Sequence, residues 1–149
     1  MKIRVATSRD LGAVESLLSS SNLPIEGVKE NFSGFVVAED KGEIAGTIGL
    51  EKFGSVALLR SAVVSPEHRG SGVGRRLVEK VLERAEEDGI EELFLLTTTA
   101  EDYFPRFAFT RTTRSAVPPA VKVSAEFQGA CPDSAAVMTR RITAHVHRV

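Results

Sequence analysis

Apolar residues recur along this chain with two periods, and each change of period marks an element. Lys2 to Ala6 alternates as a short strand does, and Leu11, Val14, Leu17 and Leu18 then share one face of a helix. Thr7 or Ser8 supplies the cap of that helix. Ser19 to Asn22, Pro24 and Gly27 break the pattern, and a short helix fits Val28 to Phe32. The segment Leu23 to Gly27 reads equally as a lid loop and as a plain connector. Gly34 to Asp40 and Glu43 to Phe53 are β-rich runs joined by the turn Asp40-Lys41-Gly42. Gly54 and Ser55 turn the chain into a third run, Leu58 to Val64, which Pro66 ends. An antiparallel meander of three strands is therefore predicted. Gly46 and Gly49 inside its second strand predict a bulge, or a place where something lies close to the backbone.

The period then returns to that of a helix. Leu77, Val78, Val81, Leu82 and Ala85 form one apolar face, and Asp88-Gly89 supplies its stop. Glu92 to Thr97 is nearly all apolar, as in a strand covered on both faces. The right-handed strand–helix–strand rule lays it parallel to Leu58–Val64. A short helix over Glu101 to Phe107 and a strand near Phe109 to Ser115 are predicted next. Pro118-Pro119 break the chain, Val121 to Phe127 is compatible with a helix, and Ala135 to Thr143 is a last strand. The tail His145 to Val149 is expected to fray.

Length and composition narrow the class. A chain of 149 residues, 42% hydrophobic and 26% charged, is expected to be one soluble domain of mixed α/β type spanning residues 1–149. Nineteen basic and twenty acidic residues leave a net charge of −1, so no attraction to nucleic acid is expected. No apolar run approaches the roughly 18 residues of a membrane span, and no signal-peptide pattern precedes Ile3, so no membrane partner is expected. With Cys131 the only cysteine, an internal disulfide is excluded and the cytoplasm is the expected compartment. His68, His145 and His147 do not converge, and no metal site is expected.

The chemistry lies between the third strand and the following helix, where Arg69, Gly70, Ser71, Gly72, Val73 and Gly74 form a glycine-rich turn. The first N–H groups of a helix have no partner within it, and its dipole leaves partial positive charge there. Glycines let the backbone close on phosphate oxygens, and Arg69, Arg75 and Arg76 add charge beside it. No Lys-Ser or Lys-Thr follows the glycines, so a P-loop is excluded; Arg75 stands where a dinucleotide fingerprint needs its third glycine. What fits is V-x-P-x-x-R-G-x-G-x-G, from Val64 through Gly74. In this order the chain resembles the GNAT superfamily of N-acetyltransferases. The resemblance implies a mixed, mostly antiparallel sheet flanked by helices. That sheet is splayed at Leu58–Val64 and Glu92–Thr97 to admit the pantetheine arm of acetyl-CoA.

The later segments narrow the resemblance. Gly49–Gly54, Leu58–Ser61, Leu95–Ala100, Glu126–Phe127 and Cys131–Met138 look like the acetyltransferase module of N-acetylglutamate synthases. They look still more like small N-acetyltransferases associated with arsenic resistance. Acetyl transfer to the amine of a small amino-acid-like acceptor is implied, with an organoarsenical amino acid or glutamate among the acceptors, and homodimers are common in the superfamily. A coenzyme-binding sensor without turnover is the reading from a different class.

Acyl transfer needs a neutral amine and a polarised carbonyl. The expected cofactor contacts are Val63, Val64, Arg69, Gly70, Ser71, Gly72, Val73, Gly74 and Arg75, with the amides of Ala62 and Val63 polarising the carbonyl. Glu51 is the preferred base and Glu126 the alternative. Arg60 pairs with Glu51 or, by preference, meets a substrate carboxylate. Ser61, Thr98 and Ser134 border the acceptor by resemblance, whereas Pro132 replaces an arginine of the synthase module and disfavours a glutamate-sized acceptor. Phe104 occupies the place of the superfamily's tyrosine acid and Ala108 that of its glycine. Either Tyr103 turns in, or the thiolate leaves unassisted. Cys131 is expected to be a buried or half-buried thiol and not a nucleophile.

Overall fold

The structure is a computed structural model and describes residues 1–142; the tail read as frayed lies outside them. Its strands are β1 (Lys2–Val5), β2 (Phe35–Asp40), β3 (Glu43–Phe53), β4 (Val56–Val64), β5 (Glu92–Thr97), β6 (Thr110–Thr112) and β7 (Ala136–Arg141). Two α-helices, α1 (Leu11–Ser20) and α2 (Val73–Glu87), accompany them. The sheet order is β1-β2-β3-β4-β5-β7-β6. Only β4 and β5 run parallel; every other neighbouring pair is antiparallel.

Alternation along β2 shows how one apolar strand serves two layers. Val36 and Ala38 join the core beneath α2, with Ile48, Leu77, Val78 and Val81. Phe35 and Val37 face the other way, into a cluster with Val14 and Leu18 of α1. Gly49 lies opposite Phe35 in the register, and a Cβ there would stand 2.4 Å from the Phe35 ring. The close approach expected at Gly49 is thus an aromatic ring laid over a bare backbone.

Two features open the sheet. β4 and β5 pair only at Val56↔Glu92, Ala57↔Leu93 and Leu58↔Phe94. Beyond Leu58, β4 keeps β3 as its neighbour, while Leu95 to Thr97 pair with β7. The two strands therefore part company, which is the splay that the resemblance implied. In addition, Thr47 pairs with Val63 but Gly49 with Arg60, so Ser61 and Ala62 together stand opposite Ile48. This β-bulge puts Ser61 at φ 59, a left-handed conformation uncommon outside glycine.

The second half is less regular than its pattern suggests. The helix expected over Glu101–Phe107 is a single 3-10 turn, Phe104–Phe107, ended by Ala108 at φ 67. The strand near Phe109–Ser115 is only Thr110–Thr112. Val121–Phe127 becomes a 3-10 turn, Val121–Val123, followed by a π-type turn, Glu126–Ala130, in which Gly129 has φ 106. These turns are held by packing and not by propensity: Val117 and Val121 bury themselves against Leu58, Phe94 and Val137. Among the described residues no helix is long and apolar enough to cross a membrane.

Candidate active site

Pro66 opens a 3-10 turn, Pro66–His68, that carries the chain from β4 into the glycine-rich loop. Gly70 and Gly72 both take positive φ, at 81° and 86°, and Gly72 caps α2. No acceptor is found among the described residues for the amides of Gly70, Ser71, Gly72, Val73, Gly74 and Arg75. Six consecutive donors are thus left without a partner at the positive end of a 15-residue helix, a set that suits a diphosphate. Arg69 reaches back to donate to the Val64 carbonyl at 3.3 Å, and the Ser71 hydroxyl donates to the His68 carbonyl.

A cavity of about 990 Å³ runs from this cradle into the gap between β4 and β5. Arg69, Gly70, Gly72, Val73, Gly74 and Arg75 line its mouth, and Ser61 to Val64 and Leu95 to Ala100, including Thr98, line its walls. Ser71 lies outside that lining, its hydroxyl turned to the loop's own backbone. The bulge leaves Ala62 exposed and Val63 and Val64 half-buried beside the gap. Tyr103 is half-buried in the same wall, and a Cβ on Gly74 would stand 3.1 Å from its hydroxyl. Burial pushes the Tyr103 phenol above its usual range. Phe104 packs edge-on against Tyr103 and Phe109, and both Tyr103 and Phe104 line the cavity.

Away from the cradle lies a buried charged cluster. The Arg60 side chain has no exposed surface. Its Nη1 donates to Glu51 Oε1 at 3.1 Å, its Nη2 to the Glu26 carbonyl at 2.6 Å, and its Nε to Ser61 Oγ at 3.1 Å. Nη2 also stands 3.3 Å from Glu126 Oε2. Of the two roles foreseen for Arg60, pairing with Glu51 is the one present, with a second carboxylate that spacing did not assign to it. Glu51 also accepts from Ser124 Oγ at 2.7 Å and does not line the cavity. Glu126 does line it, although only 4% of the residue is exposed.

The two carboxylates are therefore not equivalent. Burial pushes the Glu126 carboxyl above the ordinary glutamate range, and the Arg60 guanidinium only partly opposes that. The Cys131 thiol donates to Glu126 Oε1 at 3.4 Å and is pushed up to about 12, first by burial and then by the neighbouring carboxylate. Held as a thiol, it is a poor nucleophile, as expected.

Two expectations meet a different geometry. Glu51, preferred as base, stands behind Arg60 and off the cavity, whereas Glu126 reaches it. Ser134 is exposed and outside the lining, because the chain turns at Pro132 and presents Cys131, Pro132 and Ala135 to the cavity instead. Ser124 and Glu26 went unnoticed in the sequence, and nothing local marks them; chain segments 73 and 34 residues away bring them to the cluster. His68, set aside as a loop residue, also lines the cavity. Among the described residues no group of His, Cys, Asp and Glu is arranged to hold a metal ion.

A family model described as "Acetyltransferase (GNAT) family" matches residues 9–109. An uncharacterized N-acetyltransferase of Chlorobaculum tepidum is 32% identical over 95 residues, which are 63% of this chain and 61% of that protein. An amino-acid acetyltransferase of Aeromonas salmonicida is 34% identical over 115 residues, 71% of this chain but 26% of the relative. The chain thus spans less than two thirds of either. Among solved structures, N-acetylglutamate synthase from Neisseria gonorrhoeae, complexed with coenzyme A and N-acetyl-glutamate, superposes with a TM-score of 0.82 at 23% identity, over 95% of this chain and 35% of that one.

Proposed function

The chain belongs to the acetyltransferase (GNAT) family, and from that premise we propose that it transfers the acetyl group of acetyl-CoA to the amine of a small, amino-acid-like acceptor. The observation that carries the reading is the run of unpartnered amides from Gly70 to Arg75, opening onto the gap between β4 and β5. Its donors and its glycines fit a diphosphate with no side chain in the way: a Cβ on Gly70 or Gly72 would meet nothing within 4 Å.

Acetyl-CoA would supply the acetyl group as an activated thioester. The rest falls to residues of this chain. The backbone beyond Leu58, freed from β5, offers the amides of Ala62 and Val63 to a carbonyl oxygen, where charge develops during transfer. Ser61 and Thr98 stand in the cavity walls beside that point.

The proton of the incoming ammonium is taken by Glu126, in place of the Glu51 preferred from the sequence, because Glu126, unlike Glu51, reaches the cavity. A carboxyl raised by burial is the better matched to that task. Glu51 and Arg60 hold it in position. Arg60 also lines the cavity, but an acceptor carboxylate would have to share its guanidinium with Glu51, Glu126 and the Glu26 carbonyl.

An amino acid as acceptor is supported by the name of the Aeromonas relative and by the N-acetyl-glutamate of the Neisseria structure. An organoarsenical amino acid belongs in the same panel, on the strength of the segments Leu95–Ala100 and Cys131–Met138. The test is thiol release from acetyl-CoA against amino acids, their amides and organoarsenical analogues. Release with one or more of them is the expected result. Coenzyme binding with no release for any amine would replace the enzyme reading with that of a sensor.

A further inference from the structure

His68 takes no part in the chemistry above, yet both of its ring nitrogens are engaged. Nδ1 lies 2.8 Å from Ser65 Oγ, and Nε2 lies 2.9 Å from Asp40 Oδ2. Ser65 is nine-tenths buried, does not line the cavity, and donates its amide to the Ala45 carbonyl at 2.8 Å. A Ser, His and Asp in contact invite comparison with a hydrolytic triad, but a hydroxyl walled off from the cavity cannot attack anything in it.

The connections instead describe a strut. Asp40 ends β2 at the tip of the β2–β3 hairpin, just before Lys41 and Gly42, which turn the chain with φ of 52° and 82°. Ser65 and His68 flank the turn that feeds the cradle, joined by the His68 amide donating to the Ser65 carbonyl at 3.0 Å. The His68 carbonyl in turn accepts the Ser71 hydroxyl, inside the loop whose amides lack partners. A hairpin tip 28 residues away is thereby tied to the segment that must hold its donors in one orientation. The Ser65 hydroxyl both donates and accepts, so the strut keeps its two bonds whether or not the imidazole carries a second proton.

We propose that His68 is a positioning residue for the coenzyme's phosphates, acting through the Asp40–His68–Ser65 strut to pre-organise the Gly70–Arg75 amides. This inference rests on the cradle being the coenzyme site. Pre-organisation changes affinity more than chemistry, because a loop held ready loses less freedom on binding.

The experiment is titration calorimetry of coenzyme A with wild type, Asp40→Ala, His68→Phe, the double variant and His68→Gln, alongside steady-state kinetics. Both single variants are expected to weaken coenzyme binding by roughly three- to tenfold, the net scale of one ordinary hydrogen bond. The double variant should be no weaker than the worse single one. His68→Gln, whose amide can still donate to Asp40, should recover part of the loss. The KM for acetyl-CoA should rise while kcat at saturation stays unchanged. Unaltered binding in both single variants would overturn the strut while leaving the cradle standing, and so would equal losses in kcat. No binding by the wild type would remove the cradle, and this inference with it.

Discussion

Replacing Arg60 with Met tests whether the buried cluster is held by charge. The guanidinium has no exposed surface and stands 3.1 Å from Glu51 and 3.3 Å from Glu126, which are themselves 7% and 4% exposed. Met is similar in length and apolar, so lost packing is a minor part of the effect. Removing one partner of a buried pair costs about 3–5 kcal/mol, because the remaining charge is left without compensation. Here two carboxylates and the Glu26 carbonyl lose the same donor. For a chain of this size, each kcal/mol lowers the melting temperature by about 2–4 °C, so a fall of about 6–20 °C is expected at pH 7.5.

The dependence on pH separates charge from packing. Glu126 is already raised above its unfolded value, so its ionisation counts against the fold as pH rises through its folded pKa. Without Arg60 that pKa climbs further. The deficit of the variant should therefore be largest at neutral pH and shrink as acid protonates the cluster. Thermal and urea melts of both proteins at pH 7.5 and pH 5 make the comparison. A deficit below about 1 kcal/mol at pH 7.5, or one that does not change with pH, would refute the reasoning.

Other perturbations probe single links. Glu126→Gln should lower kcat by roughly a hundredfold or more, the range of a general base, and leave coenzyme affinity intact in calorimetry; undiminished turnover would remove Glu126 from the mechanism. Gly49→Ala puts a Cβ 2.4 Å from the Phe35 ring and should cost about 1–3 kcal/mol in urea denaturation. Ala108→Gly relieves a non-glycine φ of 67° and should raise the melting temperature by a few degrees, since the conformation costs about 1 kcal/mol. Asp10, held down at about 2 chiefly by the hydrogen bonds from Arg4, contributes about 2 kcal/mol above its unfolded pKa. Asp10→Asn should therefore be less stable by that amount near neutral pH, with the difference shrinking as pH falls through about 2 and vanishing below it.

Sequence alone was enough for whatever depends on neighbours along the backbone. The glycine-rich loop is one such case: six unpartnered amides require only a strand end, two glycines at positive φ and the start of a helix, all within Val64 to Arg75. The α2 face is another, since Leu77, Val78, Val81 and Ala85 are buried where a period of 3.6 puts them, with Leu82 half-buried at the edge of that face. The splay of β4 from β5 was accessible only through resemblance, because nothing in two apolar strands says where their pairing stops. Ser61 in the bulge carried no glycine to announce its positive φ.

Tertiary structure decided the surroundings of Arg60. Arg60 could be recognised as a charge among apolar neighbours, but not which partners would compensate it. Glu51, Glu26 and the Ser124–Glu126 stretch come from three separate segments, and a buried charge accepts whichever oxygens packing delivers. Only the fold brings Glu126 to the cavity and leaves Glu51 off it, and only the fold rests the β2–β3 hairpin tip beside His68. Backbone periodicity is written in consecutive residues; hydrogen bonds between segments 28 to 73 residues apart exist only once the sheet has brought them together.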